Sequence, residues 1–288
     1  MTEKIEVITG PTASGKTSLA LQRFIENSNV EIVNADASLL YQGFTIGTAK
    51  PSQEIRLRIP HHIIDILKPE EQCNAARYSV LAREAIRKIA ASGKTPVVVG
   101  GTGFYIDALF FGITQLETEE EKLKQARSRV AQEMEEFGFG RMHEKLQEID
   151  PELYKQVARE RNPRRLERGW EFYYATGKPL GEERKKKPDP FEFEPVFTVI
   201  EVERELLQKK IIKRIDVMLA SGWLKEVEQL LRSGVTRDMP AMNAIGYKEL
   251  AEVVDGEKEL DVAREEIIIR TRQYAKRQVT WIKRYIQS

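Results

Sequence analysis

The sequence is poor in the residue types that form disulfides and transition-metal sites. Its 288 residues include one cysteine, Cys73, and three histidines, two of them adjacent. One cysteine excludes an intramolecular disulfide, and so few cysteines and histidines exclude the usual kind of zinc site. We interpret Cys73 as an unpaired thiol in a reducing compartment, so we expect a cytoplasmic protein.

Long apolar runs and a strong overall charge are also missing. No stretch approaches 18 uncharged apolar residues, and the first residues lack the basic region and apolar core of a signal peptide. We therefore expect neither a leader nor a membrane span. The net charge of +1 excludes a uniformly basic nucleic-acid-binding protein, so any basic face must be local.

A glycine-rich turn follows the first expected strand, at residues 5–9, and precedes an expected helix. The turn matches the pattern G-x-x-x-x-G-K-[ST] in full, as Gly10-Pro11-Thr12-Ala13-Ser14-Gly15-Lys16-Thr17. Such a loop points several backbone N–H groups inward, and the following helix adds its N-terminal dipole. With the charge of Lys16, and the hydroxyl of Thr17 offered to Mg²⁺, the motif predicts a site for a di- or triphosphate.

Apolar strands alternate with helical patterns after this motif. We expect strands at residues 31–34 and 96–99, with a helix at 75–92 between them. The second of these strands is β-branched and uniformly apolar, which is typical of a strand buried on both faces. The alternation predicts an α/β fold, a P-loop NTPase-like parallel sheet flanked by helices.

Charge divides the second half of the chain. Residues 117–136 contain seven acidic and four basic residues on a helical pattern, whereas residues 159–187 contain ten basic and five acidic residues. Strand-like sequence returns at residues 196–200, and the remainder from Arg204 is helical. We therefore expect a helical insertion domain at residues 115–190 and a catalytic core made of residues 1–114 and 191–288.

Aromatic and basic residues are interleaved near the C-terminus. Tyr274, Trp281 and Tyr285 are spaced by seven and four residues, which is helical spacing and favours a role in the core. The basic residues between them, such as Lys276 and Arg277, are candidates to face RNA. We interpret the pair at residues 61–62 as structural histidines, and Trp170 and Trp223 as packing residues.

The role of Asp36 stays open from the residues alone. It follows the second expected strand and could organise magnesium, act as a catalytic base, or cap a helix. The most apolar strand ends in Gly100-Gly101-Thr102 instead of an acid. This ending favours close backbone approach and a hydroxyl donor near a ligand.

Further blocks occur along nearly the whole chain. They are Tyr41-Gln42-Gly43, Ile46-Gly47-Thr48-Ala49-Lys50-Pro51, Pro60-His61-His62, Asn162-Pro163-Arg164-Arg165-Leu166, Ile245-Gly246-Tyr247-Lys248-Glu249-Leu250 and Tyr274-Ala275-Lys276-Arg277-Gln278-Val279-Thr280-Trp281. With these blocks the chain resembles the bacterial tRNA dimethylallyltransferases, also called isopentenyl-tRNA transferases.

The resemblance implies a reaction and roles for residues. A dimethylallyl group would move from dimethylallyl pyrophosphate, with Mg²⁺ as cofactor, to the N6 amine of adenosine 37, beside the anticodon of tRNAs that read codons starting with U. The loop 10–17 would bind the pyrophosphate of the donor instead of ATP, and Arg214 would clamp the phosphates together with Lys16. Asp36 would be the general base, and Thr102 would hydrogen-bond the bridging region of the pyrophosphate. Contacts with the anticodon stem-loop are implied for Asp36, Ala37, Ser38, Leu39, Thr102, Lys124, Arg164, Arg165, Leu166, Glu167 and Arg168.

The chain also departs from the family pattern. The family commonly has Ser, Gln, Asp, Arg and Arg where this chain has Ala37, Leu39, Arg77, Lys124 and Lys210. Three other functions stay open: a small-molecule or nucleotide kinase with a lid at residues 159–168, prenyl transfer to free adenine nucleotides, and a P-loop RNA-binding module without catalysis. We expect a monomer.

Overall fold

A computed structural model describes residues 3–113, 119–185 and 191–286. The chain forms two compact units, one made of residues 1–111 and 191–288 and the other of residues 112–190. The boundaries predicted from sequence, at 114/115 and 190/191, involve residues 114–118 and 186–190, which lie outside the described residues. Lys186 and Lys187, at the end of the basic segment, also lie outside them.

The first unit contains a five-stranded sheet in which every pair of neighbours is parallel. The strands are β1 (Glu3–Thr9), β2 (Val30–Asn34), β3 (His61–His62), β4 (Thr95–Gly100) and β5 (Phe193–Val199), in the order β3-β2-β4-β1-β5. All five residues of β2 are buried, as expected for a strand covered on both faces. The predicted parallel α/β sheet is confirmed, although β3 was missed because two residues carry no periodic pattern.

Twelve helices surround and follow the strands in the described residues. They are α1 (Lys16–Glu26), α2 (Gln53–Arg58), α3 (Ala75–Ala91), α4 (Gly103–Phe110), α5 (Glu120–Ile149), α6 (Pro151–Glu160), α7 (Pro163–Thr176), α8 (Leu180–Glu183), α9 (Arg204–Ala220), α10 (Trp223–Arg232), α11 (Tyr247–Val254) and α12 (Leu260–Ile286). Within the described ranges, none combines the length and apolar character needed to cross a bilayer.

The second unit is helical, from α5 to α8, with its own apolar core. Gly138 has a φ of 71° inside α5 and interrupts the helical backbone there. Trp170 is buried, and its indole Nε1 donates a hydrogen bond to the Met142 carbonyl oxygen at 3.1 Å. Trp170 therefore acts as the packing residue that its sequence context predicts.

The carboxyl ends of the parallel strands meet at one edge of the sheet. The glycine-rich turn leaves β1 there, Asp36 follows β2 by two residues, and Thr102 follows β4 by two residues. In open parallel sheets this edge is where ligands bind. The topology thus brings three segments together that are far apart in sequence.

Candidate active site

The phosphate loop joins β1 to α1, and the helix begins at Lys16. Gly15 has a φ of 102°, a left-handed conformation that glycine adopts without steric cost. The ammonium of Lys16 donates hydrogen bonds to the carbonyl oxygens of Gly10 and Pro11, both at 2.9 Å. Burial lowers the pKa of Lys16 to about 8, while Asp36 opposes this shift and Arg214 adds to it.

Asp36 lies in a tight turn that follows β2. Its Oδ1 accepts hydrogen bonds from the backbone N–H of Ser38 at 3.1 Å and the Ser38 hydroxyl at 2.7 Å. Asn34 fixes the start of the turn, since its Oδ1 accepts from the Asp36 N–H at 2.9 Å. Asp36 therefore caps the 3-10 turn at residues 37–40, and among the described residues no donor bonds to its Oδ2.

Thr102 is bonded to the same turn. Its Oγ1 accepts a hydrogen bond from the Ala37 N–H at 3.1 Å, and its own N–H donates to the Ala35 carbonyl oxygen at 3.1 Å. The hydroxyl remains able to donate its hydrogen. A Cβ on Gly100 would lie 2.2 Å from the Ala35 backbone. Gly100 thus allows the close backbone approach that the sequence predicts, here with the Ala35 segment, and it also lines the phosphate-loop cavity.

Two cavities of the first unit meet beside Asp36. The phosphate-loop cavity, about 490 Å³, is lined by the loop residues 12–18 together with Lys210, Lys213 and Arg214. The helix cavity, about 580 Å³, is lined by residues of α9 and α12 and by the loops that contain Asp36, Cys73 and Asn243. Both cavities share Thr12, Ala13, Asp36, Thr48 and Arg214. A ligand in one cavity and a ligand in the other would therefore approach each other at Asp36 and Arg214.

The junction between the cavities is rich in charge. Burial lowers the pKa of Arg214, and the charge of Asp36 opposes that shift. Lys16 is affected electrostatically by both of these residues. Two cations and one carboxylate therefore share the junction, and the local excess of positive charge suits an anionic ligand.

The helix cavity has an apolar wall. Ile211, Ile215 and Met218 recur along one face of α9 and line it, together with Trp223 and Ile245. Asp36 and Ser38 are among the polar residues that line the same cavity. Its mixture of apolar surface and a few polar groups is typical of a pocket for an organic ligand.

Trp223 holds two glycine-containing blocks together. A Cβ on Gly47 or on Gly246 would lie 2.1 Å from its indole ring, so neither position accepts a side chain. Glu226, one turn further along α10, accepts hydrogen bonds from the Ile46 N–H at 2.8 Å and the Tyr247 hydroxyl at 2.7 Å. Trp223 is a packing residue as expected, whereas Glu226 carried no sequence signal, because its Ile46 partner is 180 residues away in the sequence.

The aromatic residues of α12 divide between two roles. Trp281 packs against Phe104, and Tyr285 stacks on Phe197 with ring centroids 4.1 Å apart, as expected for core residues. Tyr274 instead lines the helix cavity, so its assignment to the core was wrong. Helical spacing identified the inward face of α12, but it did not distinguish a packed core from a cavity wall.

The phenol of Tyr274 remains protonated at this position. Burial raises its pKa, and the negative charge of Asp36 raises it further. Hydrogen bonds with the side chains of Thr102 and Gln278 oppose the shift. The phenol is therefore a neutral hydrogen-bonding group beside the carboxylate and not a base.

A metal ion at this site would need oxygen atoms of a bound phosphate compound to complete its coordination. Within the described residues, no group of three or more His, Cys, Asp and Glu side chains is placed to hold a metal. Thr17 is exposed and lines the phosphate-loop cavity, as does Asp36. One hydroxyl and one carboxylate fit Mg²⁺ only with phosphate oxygens and water, which is how this ion is commonly bound.

The residues predicted to contact RNA are placed differently in the two units. Leu39 lines the phosphate-loop cavity. In the second unit Lys124 is exposed, and Arg164 is 86% exposed and forms an ion pair with Glu167 at 3.3 Å. Arg168 forms an ion pair with Glu171 at 3.0 Å. Leu166 is fully buried in the core of the second unit, which corrects any expectation of a side-chain contact with RNA.

Comparisons with known proteins agree with this geometry. A family model for IPP transferase matches residues 39–285. A tRNA dimethylallyltransferase of Pelotomaculum thermopropionicum is 40% identical over 286 residues, covering 98% of this chain and 88% of that protein.

Solved structures give the same result. The tRNA delta(2)-isopentenylpyrophosphate transferase of Staphylococcus epidermidis has a TM-score of 0.68 at 37% identity, covering 98% of this chain and 90% of that one. A eukaryotic dimethylallyltransferase acting on tRNA has a TM-score of 0.78 at 29% identity, covering 97% of this chain and 70% of that one. The resemblance seen in the sequence is confirmed, and the chain belongs to the IPP transferase family.

Proposed function

We propose that this chain transfers a dimethylallyl group from dimethylallyl pyrophosphate to the N6 amine of adenosine 37 in tRNA. Membership of the family makes the chain a prenyltransferase that modifies tRNA. The observation that carries the assignment of residues is that Asp36 and Arg214 line both cavities. A diphosphate in one cavity and a nucleobase in the other would meet at these two side chains.

The donor would occupy the phosphate-loop cavity. The inward N–H groups of residues 10–17, Lys16 and Arg214 would hold a diphosphate that leaves with about three negative charges. The Thr102 hydroxyl, bonded to the turn that carries Asp36, would donate its hydrogen to the bridging oxygen. Bound Mg²⁺ would neutralise charge on the leaving diphosphate, and Thr17 is the residue that would hold it.

The acceptor would enter the helix cavity as a base splayed out of its stack. Enzymes that modify bases generally extrude them, because the reacting atom is inaccessible inside a stacked helix. An exocyclic aromatic amine is a weak nucleophile, so a carboxylate that accepts its proton as the C–N bond forms assists the reaction. Asp36 is placed for this role, since its Oδ1 is engaged in the turn and its Oδ2 is available.

Residues of each unit are candidates to contact the anticodon stem-loop. Ala37, Ser38 and Leu39 lie in the turn next to Asp36 and would contact the neighbouring nucleotides. Exposed cations of the second unit, such as Lys124 and Arg164, would meet the phosphates of the anticodon stem-loop. We propose that tRNAs reading codons that start with U are the substrates.

We propose that one copy of the chain is sufficient, in the cytoplasm, where tRNA is available. Both cavities are lined by residues of the first unit. A kinase is disfavoured, because β4 ends in glycine where a nucleotide-hydrolysing P-loop protein carries an acid.

A labelling experiment tests the proposal. Purified protein with Mg²⁺, radiolabelled dimethylallyl pyrophosphate and an unmodified anticodon stem-loop should yield labelled RNA and free pyrophosphate. A matched stem-loop with guanosine at position 37 is the control and should stay unlabelled. Label on free adenine nucleotides, or phosphate transfer from ATP, would contradict the proposal.

A further inference from the structure

The amide of Gln278 connects the phosphate loop to the end of β4. Its Oε1 accepts a hydrogen bond from the Thr12 N–H at 2.7 Å, and its Nε2 donates to the Gly101 carbonyl oxygen at 2.9 Å. Gln278 lies on α12 and is only 4% exposed. A buried, fully bonded amide that joins three segments from distant parts of the sequence is a strong local constraint on all three.

The orientation of this amide follows from chemistry. A backbone N–H can only donate, and a carbonyl oxygen can only accept, so the oxygen must face Thr12 and the nitrogen must face Gly101. A Cβ on Gly101 would lie 2.2 Å from the Gln278 nitrogen. Gly101 therefore has no side chain because the Gln278 amide occupies that space.

Both ends of the Gln278 contact lie next to the reacting groups. Thr12 lines both cavities, and Gly101 immediately precedes Thr102. The same helix lines the helix cavity with Arg270, Tyr274 and Arg277. A shift of the phosphate loop relative to β4 would therefore change the distance between a bound diphosphate and the turn that carries Asp36.

We propose that Gln278 is a positioning residue for the transfer reaction, which sets the phosphate loop at a fixed distance from Thr102 and Asp36. This inference rests on the proposed binding of the donor diphosphate by the phosphate loop. Misplacement of a bound group by about 1 Å can cost a reaction on the order of 100-fold. Gln278 need not touch the substrate to have such an effect.

Two substitutions of Gln278, to methionine and to glutamate, keep the approximate length of the side chain and test this role. Gln278→Met keeps the length of the side chain and removes both hydrogen bonds, so we expect kcat/KM for dimethylallyl pyrophosphate to fall by about 100-fold. The affinity for the stem-loop RNA should fall much less than kcat/KM, because Gln278 lines neither cavity and reaches the helix cavity only through its hydrogen bond with Tyr274. Gln273→Met, at an exposed glutamine of the same helix, is the control and should match the wild type.

Gln278→Glu adds a readout that loss of packing does not produce. A protonated carboxyl group can donate to Gly101 and accept from Thr12, whereas a carboxylate repels the carbonyl oxygen. The activity of Gln278→Glu relative to wild type should therefore rise by about fivefold or more as the pH falls from about 8.5 to about 6.

The outcomes separate this inference from the proposed function. Thermal unfolding of each variant shows whether a loss of activity reflects loss of the fold. Wild-type protein that fails to label RNA would refute the proposed function itself. With an active wild type, a Gln278→Met variant of near-normal kcat/KM, or a Gln278→Glu ratio that is flat with pH, would refute the positioning role alone.

Discussion

The two cavities that meet at Asp36 are built in different ways. The phosphate-loop cavity is lined by one unbroken run of residues, 12–18, which presents backbone N–H groups and the charge of Lys16, together with cations of α9 such as Arg214. The helix cavity is formed by side chains from segments as far apart as Tyr41, Trp223 and Tyr274. Charge therefore dominates the first cavity and shape the second, so substitutions in the two should have different signatures.

The sharpest test of this comparison is Asp36, one of the residues that both cavities share. Asp36→Asn should lower kcat by about 10²- to 10⁴-fold, as expected for loss of an acid–base group. Asparagine is also a good cap, so the turn that follows should be preserved. Single-turnover kinetics give the rate, and equilibrium binding of dimethylallyl pyrophosphate should stay near wild type. Near-normal turnover would remove Asp36 from the role of base.

The charge of the phosphate-loop cavity predicts a dependence on pH. The pKa of Lys16 is lowered to about 8, so its ammonium is present in the free protein below that pH and is lost above it. An anion that binds only the protonated form should show a Kd that is flat below pH 8 and rises about tenfold per pH unit above it. Calorimetric titration with dimethylallyl pyrophosphate measures the profile.

Lys16→Arg is the control for that profile. Arginine stays protonated throughout this range, so the break near pH 8 should disappear even if the affinity is lower. A break that persists in the variant would assign the titration to a different group.

The shape of the helix cavity predicts an effect on stability. Gly47→Ala would place a Cβ 2.1 Å from the Trp223 indole, which is 1% exposed, so the buried ring would have to shift. Overpacking of this kind costs about 1–3 kcal/mol of unfolding free energy. Urea unfolding should show a lower midpoint, with weaker RNA binding and little change in donor affinity.

Gly140→Ala is the matched glycine control. A Cβ at Gly140 would meet nothing within 4 Å, and alanine favours the helical backbone there. Its unfolding midpoint should be unchanged or slightly higher. Equal urea midpoints for the two variants would show that the Trp223 indole moves to make room for a side chain at residue 47.

The smallest expected effect lies in the second unit. The Arg164 side chain is 86% exposed, so Arg164→Ala should leave the fold intact. If it meets an RNA phosphate, the slope of log K against log salt should fall in magnitude by roughly 1, with a few-fold loss of affinity. Lys122→Ala, an exposed cation on the acidic part of α5, is the control. An unchanged slope for Arg164→Ala would exclude the contact.

The sequence predicted the phosphate-loop cavity better than the helix cavity. The loop is a contiguous motif whose glycines and lysine predict its backbone conformation. The apolar runs in this part of the chain predicted β1, β2 and β4. The apolar wall of the helix cavity depends on residues such as Ile211, Ile215 and Met218, which any amphipathic helix could carry. Nothing local distinguishes a side chain that faces a cavity from one that faces a packed core.

Hydrogen bonds between distant segments were also invisible in the sequence. Glu226 was indistinguishable from a solvated helix residue, although it binds the backbone at Ile46. Gln278 stood within a recognisable block, but neither the spacing nor the composition indicated its contact with Thr12. Long-range pairing of this kind is decided by tertiary packing, which single-sequence patterns do not encode.

The two hydrogen bonds from Lys16 to the carbonyl oxygens of Gly10 and Pro11 hold its side chain in place before any ligand arrives. An ammonium has three N–H donors, so the third can bond to an anion while these two stay formed. Immobilising a long side chain on binding costs about 0.5–1.5 kcal/mol. The loop has already met that entropic cost when the protein folds, so the affinity for an anion is correspondingly higher.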